Sequence, residues 1–340
     1  MNLSRLLAGV LFILIVICSA CTDKPQTISG RHYTGTIFGK PYTIDVIGDS
    51  TDYQPQFDAI IANFQKLFDS NNPQSIISQF NNLAEGQRSL NFKDTSLVFP
   101  IVFDLAKDLN RRTMKYYDPT VMPLKREWMI AKMAGITANL DSIYQFVGFD
   151  GIGVDMLEQQ DSIFLRKSDK RIELDFTELA QALTLDHIAD FLRGKGVLQF
   201  KIAYDRDVLT HGMEIDELNI IPMGVTSDSA DLQIRLLQSA FTYSNVQDKI
   251  SMIDPVHGYP VENEMAYVGV IAPTLAEAKI FSRAFMVMGI EKAIEYYAAN
   301  EDSKIHSYMF YKDGEILRNA STNGFDNCIV GTGLQQDANR

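Results

Sequence analysis

The sequence predicts an α+β fold, and three observations lead to it. Strand-like segments stand at both ends of the chain: paired ones near Thr36 and from Tyr42 to Ile47, and the closing pair S-Y-M-F-Y and E-I-L-R-N-A-S. Amphipathic helical patterns fill much of the interval between them. A β-branched apolar run, Ala266 to Ala272, then passes into a helix that carries its own capping box, Thr274 with Glu277.

The bulk properties suit a folded chain. With 340 residues, 46% of them hydrophobic, the protein can bury a large core, and 22% charged residues argue against disorder. A formal charge of −12 offers no electrostatic footprint for nucleic acid, so none is expected as a partner.

At the N-terminus, Arg5 supplies a positive start, Leu6 to Cys18 an apolar run, and Ser19-Ala20 a small-residue approach to Cys21. The run is short for a transmembrane helix. The pattern resembles a bacterial lipobox, which implies a signal peptide over 1–20, lipidation at Cys21 and attachment to a membrane of the cell envelope through that lipid. Cleavage without lipid is the alternative. A polar tether covers 21–30, one uninterrupted domain 31–334, and a polar tail 335–340.

Within the domain, Phe57, Ile60, Ile61, Phe64 and Leu67 mark a helix from about Gln56 to Phe68. Ser75 is placed to cap a helix that begins beside it. Phe99, Val102, Phe103, Ala106 and Leu109 predict a helix over 99–114, with Pro100 in its first turn. A short helix is expected over 139–147 and a longer one from Leu179 to Arg193, its core side carrying Leu183, Ile188, Phe191 and Leu192. Asp254-Pro255 leads into a turn closed by Gly258. On the helix after Thr274, Ile280, Phe281, Ala284, Phe285 and Met288 form an apolar stripe, and Lys279 and Arg283 project together from one face.

Several chemistries lack their sequence signatures. Gly148, Gly151 and Gly153 do not make a dinucleotide-binding fingerprint, and no Walker sequence, HExxH, zinc-finger spacing or G-x-S-x-G is present. The five histidines are scattered, against a His-built metal site.

Four blocks resemble the FAD:protein FMN transferases, the ApbE-type flavinylating lipoproteins. They are S-I-I-S-Q-F-N from Ser75, Y-Y-D-P-T-V-M-P-L from Tyr116, the stretch from Leu174 to Leu192, and I-D-P-V-H-G with V-G-V-I-A-P and F-M-V-M-G. The resemblance spans nearly all of 31–334. It implies a two-lobed, T-fold-like sheet-and-helix body whose cleft holds FAD. The positions implied at the FAD site are Phe38, Asn71, Tyr116, Tyr117, Asp118, Asp175, Gln181 and Ile253, with Ser251 and Asp254 at the catalytic positions. The family grips the FAD pyrophosphate with Mg²⁺ and passes FMN to a Thr or Ser hydroxyl of an extracytoplasmic flavoprotein, which would be the partner here.

The departures cluster at the chemistry. Ser251 stands where the family has its His, Lys279 where it has a metal-binding Asp, and Arg283 where it has a metal-binding Thr. The Glu178 position offers its backbone carbonyl to the metal in the family. Two positive charges repel a cation, so Mg²⁺ is expected to be lost, with the Glu178 carboxylate free to pair with one of them. Ser251 cannot act as an unaided base. Three readings follow: a family member impaired in transfer or inactive, a metal-independent FMN transferase or FAD diphosphatase that uses Lys279 and Arg283, and a non-catalytic flavin-binding or structural lipoprotein.

Overall fold

The computed structural model describes residues 30–332 except 152, 160, 161, 213, 221–231 and 250. Cys21, the signal peptide, the polar tail and all of the tether but Gly30 therefore lie outside the described residues. No helix among those described is long and apolar enough to cross a membrane.

In chain order the strands are β1 (Gly30–Ile37), β2 (Lys40–Ile47), β3 (Ser89–Lys93), β4 (Val154–Gln159), β5 (Ser162–Lys167), β6 (Gln199–Tyr204), β7 (Asp207–His211), β8 (Glu214–Ile220), β9 (Leu232–Leu237), β10 (Ala240–Asn245), β11 (Met265–Ala272), β12 (His306–Asp313), β13 (Ile316–Ser321) and β14 (Ile329–Thr332). The main sheet runs β1-β2-β6-β7-β10-β11-β12-β13, and two three-stranded sheets run β14-β9-β8 and β3-β5-β4. The pairings are antiparallel throughout these sheets. The larger helices are α1 (Gln54–Phe68), α2 (Ile76–Asn81), α3 (Val98–Arg112), α4 (Met122–Ala134), α5 (Thr177–Gly194) and α6 (Leu275–Ala299). The α+β class read from the sequence is the class that forms.

Local chemistry explains most boundaries. Phe38 and Gly39 both take positive φ between β1 and β2, the geometry of a tight two-residue hairpin. Ser75 accepts the Ser78 N–H and caps α2. The third helix stops at Arg112, two residues short of expectation, because Met114 and Lys115 enter the left-handed region. The expected helix over 139–147 is a single turn, Leu140–Ile143, continued as a 3₁₀ turn over Tyr144–Phe146.

Strand β11 is buried along its whole length, and α6 packs across it and β10 while α5 covers the other side of α6. This corrects the narrow stripe expected on α6. Ala276, Ala278, Ser282, Met286 and Val287 are buried as well as Ile280, Phe281, Ala284, Phe285 and Met288, because the helix lies between two layers. Just past its middle Gly289 leaves helical backbone (φ +78°), and the Asn263 amide donates to the freed carbonyls of Met286 and Val287 at 3.0 and 2.9 Å.

The N-terminus of α6 is fully accounted for. Leu275 and Ala276 donate their N–H groups to the Asp186 carboxylate of α5, each at 2.9 Å. Glu277 donates to Thr274 Oγ1 at 3.2 Å, and Ala278 to the Thr274 carbonyl at 3.0 Å. Burial pushes the Asp186 carboxyl up to about 7 although these donors favour its charged form. Its ordinary value is 3.8, so the stability it contributes is full below that pH and is lost as pH rises through about 7. Asp186→Asn, which does not titrate, is therefore expected to gain on the natural protein in Tm from pH 4 to pH 8. Asp186→Ala strands two buried N–H groups and should cost on the order of 3 kcal/mol. Thermal unfolding across that pH range checks both; a constant Asn-to-natural difference would mean that the carboxyl does not titrate there.

Candidate active site

Three turns and two helices converge on a pair of adjoining clefts. The first is an open cleft of about 670 Å³, lined by Tyr116, Tyr117, Asp118, Asp175, Ile253 and Pro255 among others. The second, about 650 Å³, is walled by Lys40, Gln181, Asp205, Arg206, Asp248 and Lys279. Glu178 and Arg283 line both, so their contact forms the partition.

The wall of the first cleft is built by a turn following α3. Asp118 is buried, and its carboxylate accepts from Thr120 N (2.7 Å), Thr120 Oγ1 (2.5 Å) and Phe149 N (2.9 Å). Burial raises its carboxyl above the ordinary range while these donors pull it back. Asp118 thus ties two loops together, and its lone pairs are largely spent on the protein itself. Asp175 Oδ1 accepts the Thr177 N–H at 3.0 Å, at the start of α5. The Tyr117 hydroxyl is buried with no hydrogen-bond partner, and burial holds it well above the usual phenol range. A buried donor left unpaired in a cleft wall is an exception that packed cores rarely leave.

The second cleft is a set of ion pairs. Lys279 Nζ meets Asp207 Oδ2 at 2.6 Å, and Asp207, fully buried, also accepts from Thr242 Oγ1 at 2.6 Å. Arg283 takes Glu178 through two nitrogens, with Nε to Oε2 at 2.8 Å and a second contact from the other arm. Its remaining nitrogen lies 3.6 Å from Asp248, whose other oxygen accepts from Arg206 at 2.5 Å. Lys40 pairs with Asp205 at 2.8 Å. Burial alone would raise the Glu178 carboxyl, but the Arg283, Lys279 and Lys125 charges overturn that and hold it below the ordinary range. The four cations thus each have an acid. This donor set does not suit Mg²⁺: two positions that should bring oxygens bring positive charge, and the nearby carboxylates are engaged.

The sequence-derived site residues divide into groups. Tyr116, Tyr117, Asp118, Asp175, Glu178, Ile253 and Arg283 share the first cleft; Gln181 and Lys279 stand in the second. Phe38 is buried in the main core, and Asn71 sits in the turn after α1, neither lining these two clefts. Ser251 is exposed and donates to the Asp248 carbonyl at 3.0 Å, off the cleft lining. Asp254 spends its carboxylate on the turn it begins. Asp248 was not singled out from the sequence, and Arg206 reaches the cleft from the hairpin turn between β6 and β7.

Comparison with known proteins agrees with this architecture. The ApbE family matches residues 38–309. An FAD:protein FMN transferase of Buchnera aphidicola is 25% identical over 244 residues, 67% of this chain and 71% of that protein. One from Klebsiella pneumoniae is 22% identical over 92% of this chain and 93% of its own. The flavin transferase ApbE of Vibrio cholerae superposes with a TM-score of 0.69 at 19% identity, covering 88% of this chain and 99% of that one. The apo flavinyl transferase ApbE of Pseudomonas stutzeri gives 0.71 at 19% identity, over 90% and 98%. With the family matched across most of its length and the fold shared, this chain belongs to the ApbE family.

Proposed function

We infer that this chain binds FAD in the paired clefts without a divalent cation and is impaired in FMN transfer. One observation carries the reading: Lys279 and Arg283 occupy the positions expected of metal ligands, and they stand in ion pairs with Asp207 and Glu178. Two fixed cations can offset the charge of a diphosphate, as Lys and Arg do in many phosphate sites. Here they are already neutralised, so an entering pyrophosphate competes with Glu178 and Asp248, and its affinity is modest. Phosphoryl transfer depends on charge neutralisation at the moving oxygens and on a proton acceptor for the attacking hydroxyl. The first is weakened by the acids, and the second is lost from the position that Ser251 fills. The acceptor in this reading is a Thr or Ser of an extracytoplasmic flavoprotein, met at the envelope by a chain anchored through lipid on Cys21.

FAD titration by flavin fluorescence checks the metal-free site. Binding is expected to be unchanged by EDTA and to weaken as salt rises. Lys279→Asp combined with Arg283→Thr is expected to gain Mg²⁺-dependent binding. Loss of FAD on chelation from the natural sequence would sink the reading, and absence of FAD binding under all conditions would favour a structural lipoprotein. Anchoring has its own measurement: Cys21→Ser should move the protein from the membrane to the soluble fraction, and unchanged partitioning would rule against lipidation there.

A further inference from the structure

The turn after Ile253 holds a group with no role so far. Asp254 Oδ1 accepts the Val256 and His257 N–H groups at 2.7 and 3.2 Å, and its Oδ2 lies 2.7 Å from His257 Nδ1. The Asp254 side chain is only 17% exposed, the imidazole 63%. The backbone is closed by Gly258 N–H to the Asp254 carbonyl and Asp254 N–H to the Tyr259 carbonyl, both 2.8 Å. Gly258 sits at φ +81°, and a Cβ there would meet the Tyr144 ring at 3.1 Å. Two side chains brace the turn from outside: Trp128 Nε1 donates to the Gly258 carbonyl at 2.7 Å, and the Tyr144 hydroxyl reaches the Pro255 and Val256 carbonyls. The same turn gives Ile253 and Pro255 to the lining of the first cleft, which Arg283 shares.

The arrangement is that of an oriented base. A carboxylate that accepts from Nδ1–H selects the tautomer with the lone pair on Nε2 and stabilises the imidazolium once formed. Among the described residues Nε2 has no hydrogen-bond partner, and the ring stands on a rigid turn two residues beyond Pro255, which lines the first cleft. We propose that His257 is the proton acceptor for the hydroxyl that attacks FAD, with Asp254 as its positioning residue. The inference rests on the FAD-binding reading above. In this step the hydroxyl proton passes to Nε2 as the hydroxyl oxygen bonds to the phosphorus of the FMN half. The pyrophosphate P–O bond breaks, its electron pair leaves with AMP, and the proton on His257 returns to solvent. The acceptor is a hydroxyl, either of a protein side chain or of water, and both release AMP.

The test uses the full-length protein and FAD, and counts AMP released under single-turnover conditions. His257→Gln, an exposed change that keeps the fold, is expected to slow AMP release about 100-fold while FAD affinity stays within about twofold. Asp254→Asn is expected to slow it by about tenfold and to shift the imidazole nitrogen NMR signals away from the single Nδ1–H tautomer, a change that a purely structural Asp254 would not produce. Undiminished AMP release from His257→Gln, or no AMP release from natural protein with FAD bound, would overturn the proposal and leave the binding reading intact. Failure of FAD to bind at all would instead overturn the binding reading, and this inference with it.

Discussion

The clamp on helix α6 is the constraint on which the rest depends. Strands β10 and β11 lie under it, α5 lies over it, and Asp186 of α5 holds its first two N–H groups. A helix buried on nearly every side contributes much hydrophobic stabilisation, but it has little freedom to rotate or slide. Whatever its few polar residues are, they must come out where the packing leaves a gap. Lys279 and Arg283 come out at the clefts, beside Glu178 of α5 and the buried Asp207 of β7.

That geometry gives the substitution of charge its meaning. On an exposed helix face, Lys279 and Arg283 would be a mild like-charge repulsion of a few tenths of a kcal/mol. In the cleft they are forced into partnership, because a half-buried cation without an acid is far more costly than the repulsion. Asp207, with no exposure, equally needs a cation. The pairs are therefore part of the fold's own balance and not simply a waiting phosphate site. Replacing either cation strands its acid, and the paired exchange strands both Asp207 and Glu178, so that a bound divalent cation becomes the group able to compensate them.

The Asp254 turn shows a different economy. Its glycine, its bracing by Trp128 and Tyr144, and its internal hydrogen bonds make a rigid loop from only six residues. Rigidity lets an exposed imidazole hold one orientation without being buried. Ser251, just before the turn, faces a backbone carbonyl instead of the cleft.

Much of the fold was legible in the residues alone, since it rests on local rules. The capping box at Thr274, the cap at Ser75, the paired strands near Thr36 and from Tyr42 to Ile47 and the unbroken apolar run of β11 all act over a few residues, and short-range sterics and hydrogen bonding decide them. Tyr116, Tyr117 and Asp118 were grouped by their resemblance to a family block, and the turn after α3 brings all three to one cleft. What only the tertiary structure decided is long-range. The burial of α6 on both sides needs α5 and the sheet together. The pairing of Lys279 with Asp207 and of Arg283 with Glu178 spans 72 and 105 positions. The removal of Ser251 and Phe38 from the clefts depends on how separate segments pack. Charge partners, unlike caps, are chosen by whatever the packed backbone brings within a few ångströms, and no periodicity along the chain records that choice.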